Sequence, residues 1–264
     1  MSNILKELSD MRRADAEGRE KTIPMSEMMR RAKAASAPRD FAAVFRRDGV
    51  NVIAELKRAS PSEGMIREEF NPSVLATELA DAGAGALSVL CEPHRFLGGE
   101  EYLSAARGVT SLPVLYKDFV TTRYQVAAAR AAGADAVLLI AAVLDDTALA
   151  DLLGFAHEIG LRALVETHDA EEVKRAVQAG AGIVGVNCRD LRNFSTDVTL
   201  LERLIGEIPR PCLRIAESGI RDAASIARVR EAGADGFLIG TAIMRAPSPA
   251  AALADLINLN PSTP

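Results

Sequence analysis

The sequence predicts an α/β protein built as one closed barrel of parallel strands alternating with helices, and three observations carry that prediction. Ala-Gly-Ala recurs at Ala82-Gly83-Ala84, Ala132-Gly133-Ala134, Ala179-Gly180-Ala181 and Ala232-Gly233-Ala234, roughly 50 residues apart, the period of a repeated supersecondary unit. Each triplet closes an Ala-rich, charge-rich stretch, where a glycine suits the left-handed turn that ends a helix. Each is followed by a short apolar run that is continuous rather than alternating, as strands covered on both faces are.

Taken in order, the runs after the triplets are Leu87–Leu90, Ala136–Ile140, Ile183–Val186 and Phe237–Ile239. Four more strands are predicted at Val52–Leu56, Val114–Tyr116, Ala163–Val165 and Leu213–Ala216. Helices are expected over Pro72–Ala82, Arg123–Ala132, Asp146–Ile159, Ala170–Ala179, Thr199–Ile208, Ala223–Ala232 and Ala250–Ile257. Eight such units in about 215 residues fit a single (βα)8 TIM barrel. The runner-up, an open Rossmann-like sheet, lacks its G-x-G-x-x-G after any strand. One domain is expected over 1–264, with an N-terminal helical extension at 1–48 and the barrel at 49–264. The extension reads as two or three short helices punctuated by Pro24 and Pro38, and the apolar residues of Asp40–Phe45 could cover one end of the barrel.

Composition removes several functions. The net charge is −5 and no run of five or more basic residues occurs, so nucleic acid is not an expected partner. No apolar stretch is long enough to span a membrane, and the N-terminus lacks the pattern of a secretory signal. Three cysteines, Cys91, Cys188 and Cys212, form no close pair and no metal-ligand spacing; free thiols in a reducing cytoplasm are expected. His94, His157 and His168 read as isolated surface or loop residues, so no metal site is expected. Aromatics make up 4% of the chain and Trp is absent, which leaves an aliphatic core.

Barrels of this kind carry their chemistry at the C-terminal ends of the strands. Lys57, Lys117, Glu166, Asn187 and Glu217-Ser218 all fall at such ends, with Arg189 just beyond the sixth. Glu55 lies inside the first strand, where a carboxylate is costly unless paired. Lys57, two residues on and on the same face, is its expected partner, either as a structural ion pair or as part of a site. Lysines and carboxylates converging on one mouth suit proton transfer. Gly219 after the seventh strand and Gly240-Thr241 after the eighth let backbone N–H groups approach an anion, which points to phosphate.

The ordered set of segments resembles the indole-3-glycerol phosphate synthase family. The resemblance rests on Ile53-Ala54-Glu55-Leu56-Lys57-Arg58-Ala59-Ser60-Pro61-Ser62, Leu87-Ser88-Val89-Leu90-Cys91-Glu92 and Pro113-Val114-Leu115-Tyr116-Lys117-Asp118-Phe119. It continues through Leu164-Val165-Glu166, Gly185-Val186-Asn187-Cys188-Arg189-Asp190-Leu191, Ala216-Glu217-Ser218-Gly219-Ile220 and Gly236-Phe237-Leu238-Ile239-Gly240. What it implies is a carboxy-lyase of tryptophan biosynthesis that needs no cofactor. The implied reaction closes, decarboxylates and dehydrates 1-(2-carboxyphenylamino)-1-deoxyribulose 5-phosphate.

By that resemblance Lys117 is the acid of ring closure, Glu166 the base of dehydration, Lys57 a second acid, and Glu55 the group that orients Lys57. Asn187, Glu217 and Ser218 hold hydroxyls or neighbouring catalytic groups. Lys57, Ser60, Gly219, Gly240 and Thr241 surround the phosphate. Pro61, Phe96, Phe119, Leu138, Arg189 and Leu191 receive the ring and its carboxylate. No obligate protein partner is implied.

Departures from the family pattern are Tyr116 for Arg or an aliphatic, Cys91 for Thr, Cys188 for Asn or Ser, and Thr241 for Ser or Glu. With no Trp to cover the substrate from the extension, Met25, Met28 or Phe41 are the expected substitutes. Rivals are another phosphate-binding barrel, such as phosphoribosylanthranilate isomerase or a sugar-phosphate epimerase, and a non-catalytic paralogue. The isomerase uses a Cys and an Asp where this chain has Lys and Glu, and a mere binder would not need Lys57, Lys117 and Glu166 together.

Overall fold

Side chains alternate along each strand between two cores, and that alternation builds the molecule. A computed structural model describes residues 3–189 and 196–258. Its strands are β1 (Val52–Leu56), β2 (Ala86–Leu90), β3 (Val114–Lys117), β4 (Ala136–Ile140), β5 (Arg162–Thr167), β6 (Ile183–Asn187), β7 (Leu213–Glu217) and β8 (Gly236–Ile239). Each pairs in parallel with the next, and β8 pairs with β1, so the sheet closes into a TIM barrel. One core lies inside the barrel and includes Ile53, Ala86, Leu115, Leu138, Leu164, Ile215 and Leu238. The other lies between strands and helices and includes Val52, Leu87, Val137, Val165, Val184 and Phe237. A strand with apolar residues on both faces reads as a continuous apolar run, which is why period-two alternation is missing from the sequence.

The helices are α1 (Asn3–Thr22), α2 (Met25–Ala34), α3 (Pro72–Asp81), α4 (Glu100–Val109), α5 (Arg123–Ala131), α6 (Asp146–Glu158), α7 (Ala170–Gln178), α8 (Val198–Glu207), α9 (Ala223–Glu231), α10 (Thr241–Met244) and α11 (Pro249–Ile257). The glycines of the repeated triplets take φ of +99°, +95°, +89° and +103° at Gly83, Gly133, Gly180 and Gly233. They sit just past the ends of α3, α5, α7 and α9, so the repeat is a repeated helix stop. Helix α4 is absent from the sequence expectation. It begins after Gly99, which offers no side-chain cap, and ends at Thr110 without the Ala-Gly-Ala stop, so neither end carries a sequence signal. A small antiparallel ladder, Ala59–Ser60 with Gly64–Met65, also forms after β1.

The extension differs from the short helices expected, because α1 runs for 20 residues. Pro24 caps α2 in extended conformation, consistent with its fixed φ. A 3-10 turn at Ala42–Arg46 follows. Phe41 and Phe45 meet edge to face at 5.3 Å, and Phe45 and Val44 lie where β-carbons on Gly236 and Gly85 would intrude. These glycines stand at the start of β8 and just before β2, so the turn plugs the N-terminal mouth of the barrel.

Phe45 is 4% exposed. Phe45→Ala should therefore cost about 3–5 kcal/mol in urea unfolding, with ligand affinity at the opposite mouth unchanged.

Candidate active site

The inward-facing rows of β1, β3, β5, β6 and β7 end in polar groups at the C-terminal mouth, whereas that of β4 ends in Leu138 and Ile140. There Glu55, Lys57, Lys117, Glu166, Asn187 and Glu217 line one cavity of about 560 Å³. Strand register sets their level: Glu166 is paired with Gly185 and with Ile140, and Asn187 with Glu217. Lys117 Nζ lies 2.9 Å from Glu166 Oε2 and 2.9 Å from Glu217 Oε2. Asn187 Nδ2 donates to Glu166 Oε1 at 3.2 Å. Across the mouth, Lys57 Nζ meets Glu55 Oε1 at 2.8 Å. Two of these carboxylates are seated by missing side chains. A β-carbon on Gly185 would run into the Glu217 carboxylate, and one on Gly240 into that of Glu55.

Burial opposes charge on every member of this cluster, and pairing decides which stay ionised. Glu55 is desolvated, yet Lys57 and Lys117 hold it below the usual carboxylate range. Glu166 is likewise desolvated and driven down by Lys117 and by His168. Lys117 is pushed up, since Glu166, Glu217 and Glu55 outweigh its burial. Glu217 goes the other way. Burial and the neighbouring Glu166 raise it despite Lys117. One ammonium shared by two carboxylates thus leaves one of them the proton-holding partner. Among the described residues nothing hydrogen-bonds Glu217 Oε1.

The remaining residues expected at the site gather on the same cavity. Ser60, Ser218, Gly219, Gly240 and Thr241 line it, as do Pro61, Phe96, Phe119, Leu138 and Arg189. Ser218 and Gly219 take φ of +62° and +72°, a left-handed turn that strains a non-glycine residue. Arg189 donates to Ser62 Oγ at 3.2 Å. The rings of Phe96 and Phe119 lie 6.1 Å apart. Leu191 lies outside the described residues.

Two expectations need correction. The cavity is covered from the extension by Ile4, Leu5 and Leu8 of α1. Met25 and Met28 instead pack into the outer core, and Phe41 is at the opposite mouth. Tyr116 faces outward, its hydroxyl 3.1 Å from Asp118 Oδ2 and 3.3 Å from Glu100 Oε1. The second concerns His168, which is not isolated but stands 3.3 Å from Glu166 and 3.1 Å from Glu172. Cys188, by contrast, is buried and its thiol is pushed up chiefly by that burial, which suits a packed side chain rather than a nucleophile.

Two buried acids missing from the sequence expectation hold the site in place. Glu92, with no exposed surface, accepts from the backbone N–H groups of His94, Arg95 and Phe96, which folds the loop that carries Phe96. Asp118 accepts from Arg12 Nε at 3.0 Å and Nη2 at 2.7 Å, which ties α1 to the residue after Lys117. Among the described residues no three His, Cys, Asp or Glu side chains are grouped as metal ligands would be, and no helix is long and apolar enough to cross a membrane.

A family model described as indole-3-glycerol phosphate synthase matches residues 5–256. Curated relatives named indole-3-glycerol phosphate synthase include one from Mycolicibacterium smegmatis, 42% identical over 100% of this chain and 97% of its own. Another, from Streptomyces griseus, is 43% identical over 97% of this chain and 95% of its own. A third, from Acidithiobacillus ferrooxidans, is 43% identical over 97% and 99%. Among solved structures, the fold is shared with a thiamine phosphate pyrophosphorylase from Pyrococcus furiosus at a TM-score of 0.59, 18% identical over 78% of this chain and 93% of that one. It is shared too with an N-acetylmannosamine-6-phosphate 2-epimerase from Clostridium perfringens at 0.62, 18% identical over 80% and 95%.

Arg12→Ala would leave Asp118 buried without its charged partner, and should cost about 3–5 kcal/mol in urea unfolding. Arg95→Ala, which removes an exposed pair with Glu7, should cost less than about 1 kcal/mol.

Proposed function

The chain belongs to the indole-3-glycerol phosphate synthase family, carboxy-lyases of tryptophan biosynthesis, and from that premise we propose how its own residues divide the reaction. The observation that carries the reading is the Lys117 ammonium held between Glu166 and Glu217 at the floor of the cavity, with the Lys57–Glu55 pair facing it. That arrangement supplies acids and a base at fixed positions, which a reaction made of proton transfers at a carbonyl and a hydroxyl requires.

The substrate, 1-(2-carboxyphenylamino)-1-deoxyribulose 5-phosphate, lies across the mouth of the barrel. Its phosphate rests on the side formed by Lys57, Ser60, Gly219, Gly240 and Thr241. Its ring enters the apolar side between Pro61, Phe96, Phe119 and Leu138, under Leu5 and Leu8 of α1. Arg189 faces the carboxylate, and Ser218, Asn187 and Glu217 hold hydroxyls or the catalytic ammonium.

The ring carbon bearing the carboxylate attacks the ribulose carbonyl carbon. As the new C–C bond forms, the carbonyl oxygen takes a proton from Lys117, whose positive charge stabilises the developing alkoxide. Carbon dioxide leaves, and the electron pair of the broken bond restores the aromatic ring. The hydroxyl then departs as water with a proton from Lys57, while Glu166 removes a proton from the new ring. Glu166 suits the base because it is held anionic. The proton transfers use groups that line one cavity, and no step calls for a cofactor.

Extension and barrel act as one domain in this reading, since α1 both covers the cavity and is pinned beside Lys117. The partner is a phosphorylated small molecule. Nucleic acid, a membrane or an obligate protein partner has no role, and the reaction belongs in the cytoplasm.

Purified protein should convert the carboxyphenylamino ribulose phosphate to a fluorescent indole without added metal or cofactor; a folded protein with no indole signal between pH 6 and 9 would refute the assignment. Lys117→Ala should lower kcat by about 10²–10⁴-fold with KM little changed, and equal losses in both would make Lys117 a binding residue only. Glu166→Gln should release carbon dioxide but form little indole, and an unchanged rate of indole formation would remove Glu166 from the mechanism.

A further inference from the structure

The base assigned above has a neighbour with no role in that reaction scheme. His168 follows the end of β5, two residues beyond Glu166, and its side chain is 18% exposed. Nε2 is buried and stands 3.3 Å from Glu166 Oε1, out of line for a hydrogen bond, so the contact is Coulombic. Nδ1 lies 3.1 Å from Glu172 Oε2. The same Glu172 oxygen accepts the backbone N–H of His168 at 2.8 Å, which fixes the ring from behind. Glu172 is itself placed by the start of α7, where Asp169 caps its N–H.

A neutral imidazole has one N–H and one lone pair. Facing a carboxylate with both nitrogens, it would set a lone pair against an anion. The imidazolium satisfies both sides. Glu166 on β5 and Glu172 on α7 are the charged groups that face the ring. Together they push His168 up to about 10 despite its burial.

We infer that His168 is a positioning residue for Glu166: its imidazolium, clamped by Glu172, orients the Glu166 carboxylate from the side opposite Lys117 and keeps it anionic for the dehydration step. Glu166 then has distinct partners on its two oxygens. Oε2 answers to Lys117, which acts in ring closure. Oε1 answers to Asn187 and His168. A second cation matters because Lys117 gives up its proton during ring closure. At that moment His168 is the positive charge left against Glu166, so the carboxylate is not forced to take up the proton it must later remove from the ring.

The inference rests on Glu166 being the dehydration base, and the test separates the two. Single-turnover time courses on the full chain follow carbon dioxide release and indole formation separately, for the wild type, His168→Gln, Glu172→Gln and Glu166→Gln. His168→Gln should release carbon dioxide within about two-fold of the wild-type rate but form indole about ten-fold more slowly, the usual size of an outer-shell effect. Removing a positive charge beside Glu166 raises its pKa, so the acid limb of the indole-forming step should move up by about one pH unit.

A merely structural role would slow both steps together and leave that limb in place, and this result from folded His168→Gln would overturn the inference. Glu172→Gln keeps an acceptor for Nδ1 but removes a charge that sustains the imidazolium. Its indole-forming step should fail at lower pH on the alkaline side than in wild type. An unmoved alkaline limb overturns the inference even where His168→Gln does not fold. Wild-type indole formation by Glu166→Gln would instead sink the parent assignment of the base.

Discussion

A single ammonium group, that of Lys117, must satisfy two buried carboxylates, and most of the mouth of the barrel is arranged around that constraint. Taking one ion out of water costs several kcal/mol even after relaxation, and Lys117, Glu166, Glu217 and Glu55 are all withdrawn from it. The cluster is tolerable only if its charges balance. With Lys57 and Lys117 positive and Glu55 and Glu166 negative, Glu217 completes a neutral set by holding a proton. His168 and Glu172 add one charge of each sign and leave the balance unchanged.

The scaffold delivers these groups by means that belong to the barrel itself. Inward alternation along β1, β3, β5, β6 and β7 ends in a polar residue at the C-terminal mouth, and parallel register sets the depth of each one. Where two carboxylates need room, the neighbouring strand supplies none of its own side chain, as at Gly185 and Gly240. The other end of the barrel is closed by Phe45 and Val44, which leaves the C-terminal mouth as the open one. The most buried tie between the extension and the chemistry is Arg12 on α1, which clasps Asp118, next to Lys117, and with the Glu7–Arg95 and Asp15–His94 pairs holds Ile4, Leu5 and Leu8 over the cavity. Stability and function share this link, since the same ion pair that satisfies a buried acid also fixes the substrate's cover.

Strand-end polar groups were legible in the sequence because they break the apolar runs of β1, β3, β5, β6 and β7 at the same end. The repeated Ala-Gly-Ala was legible because a left-handed helix stop admits few residues besides glycine. The Lys57–Glu55 contact could be anticipated from two-residue spacing alone. Contacts made across the fold could not. Arg12 and Asp118 are 106 positions apart, and no local pattern marks them as partners. The cover by Leu5 and Leu8 depends on how α1 docks, and its amphipathic face looks like that of any surface helix. His168 sat in plain view beside Glu166, but a lone histidine after a strand carries no signal until α7 brings Glu172 against its far nitrogen. Helix α4 was hidden because it has neither a capping side chain at its start nor a glycine stop at its end.

The most direct test of the charge balance is a neutron structure of the unliganded protein at neutral pH, refined with deuterium positions at the Lys117 cluster. A deuteron on Glu217, none on Glu166 and three on Lys117 Nζ is the predicted result. Two bare carboxylates, or a deuteron on Glu166 with Glu217 ionised, would contradict it.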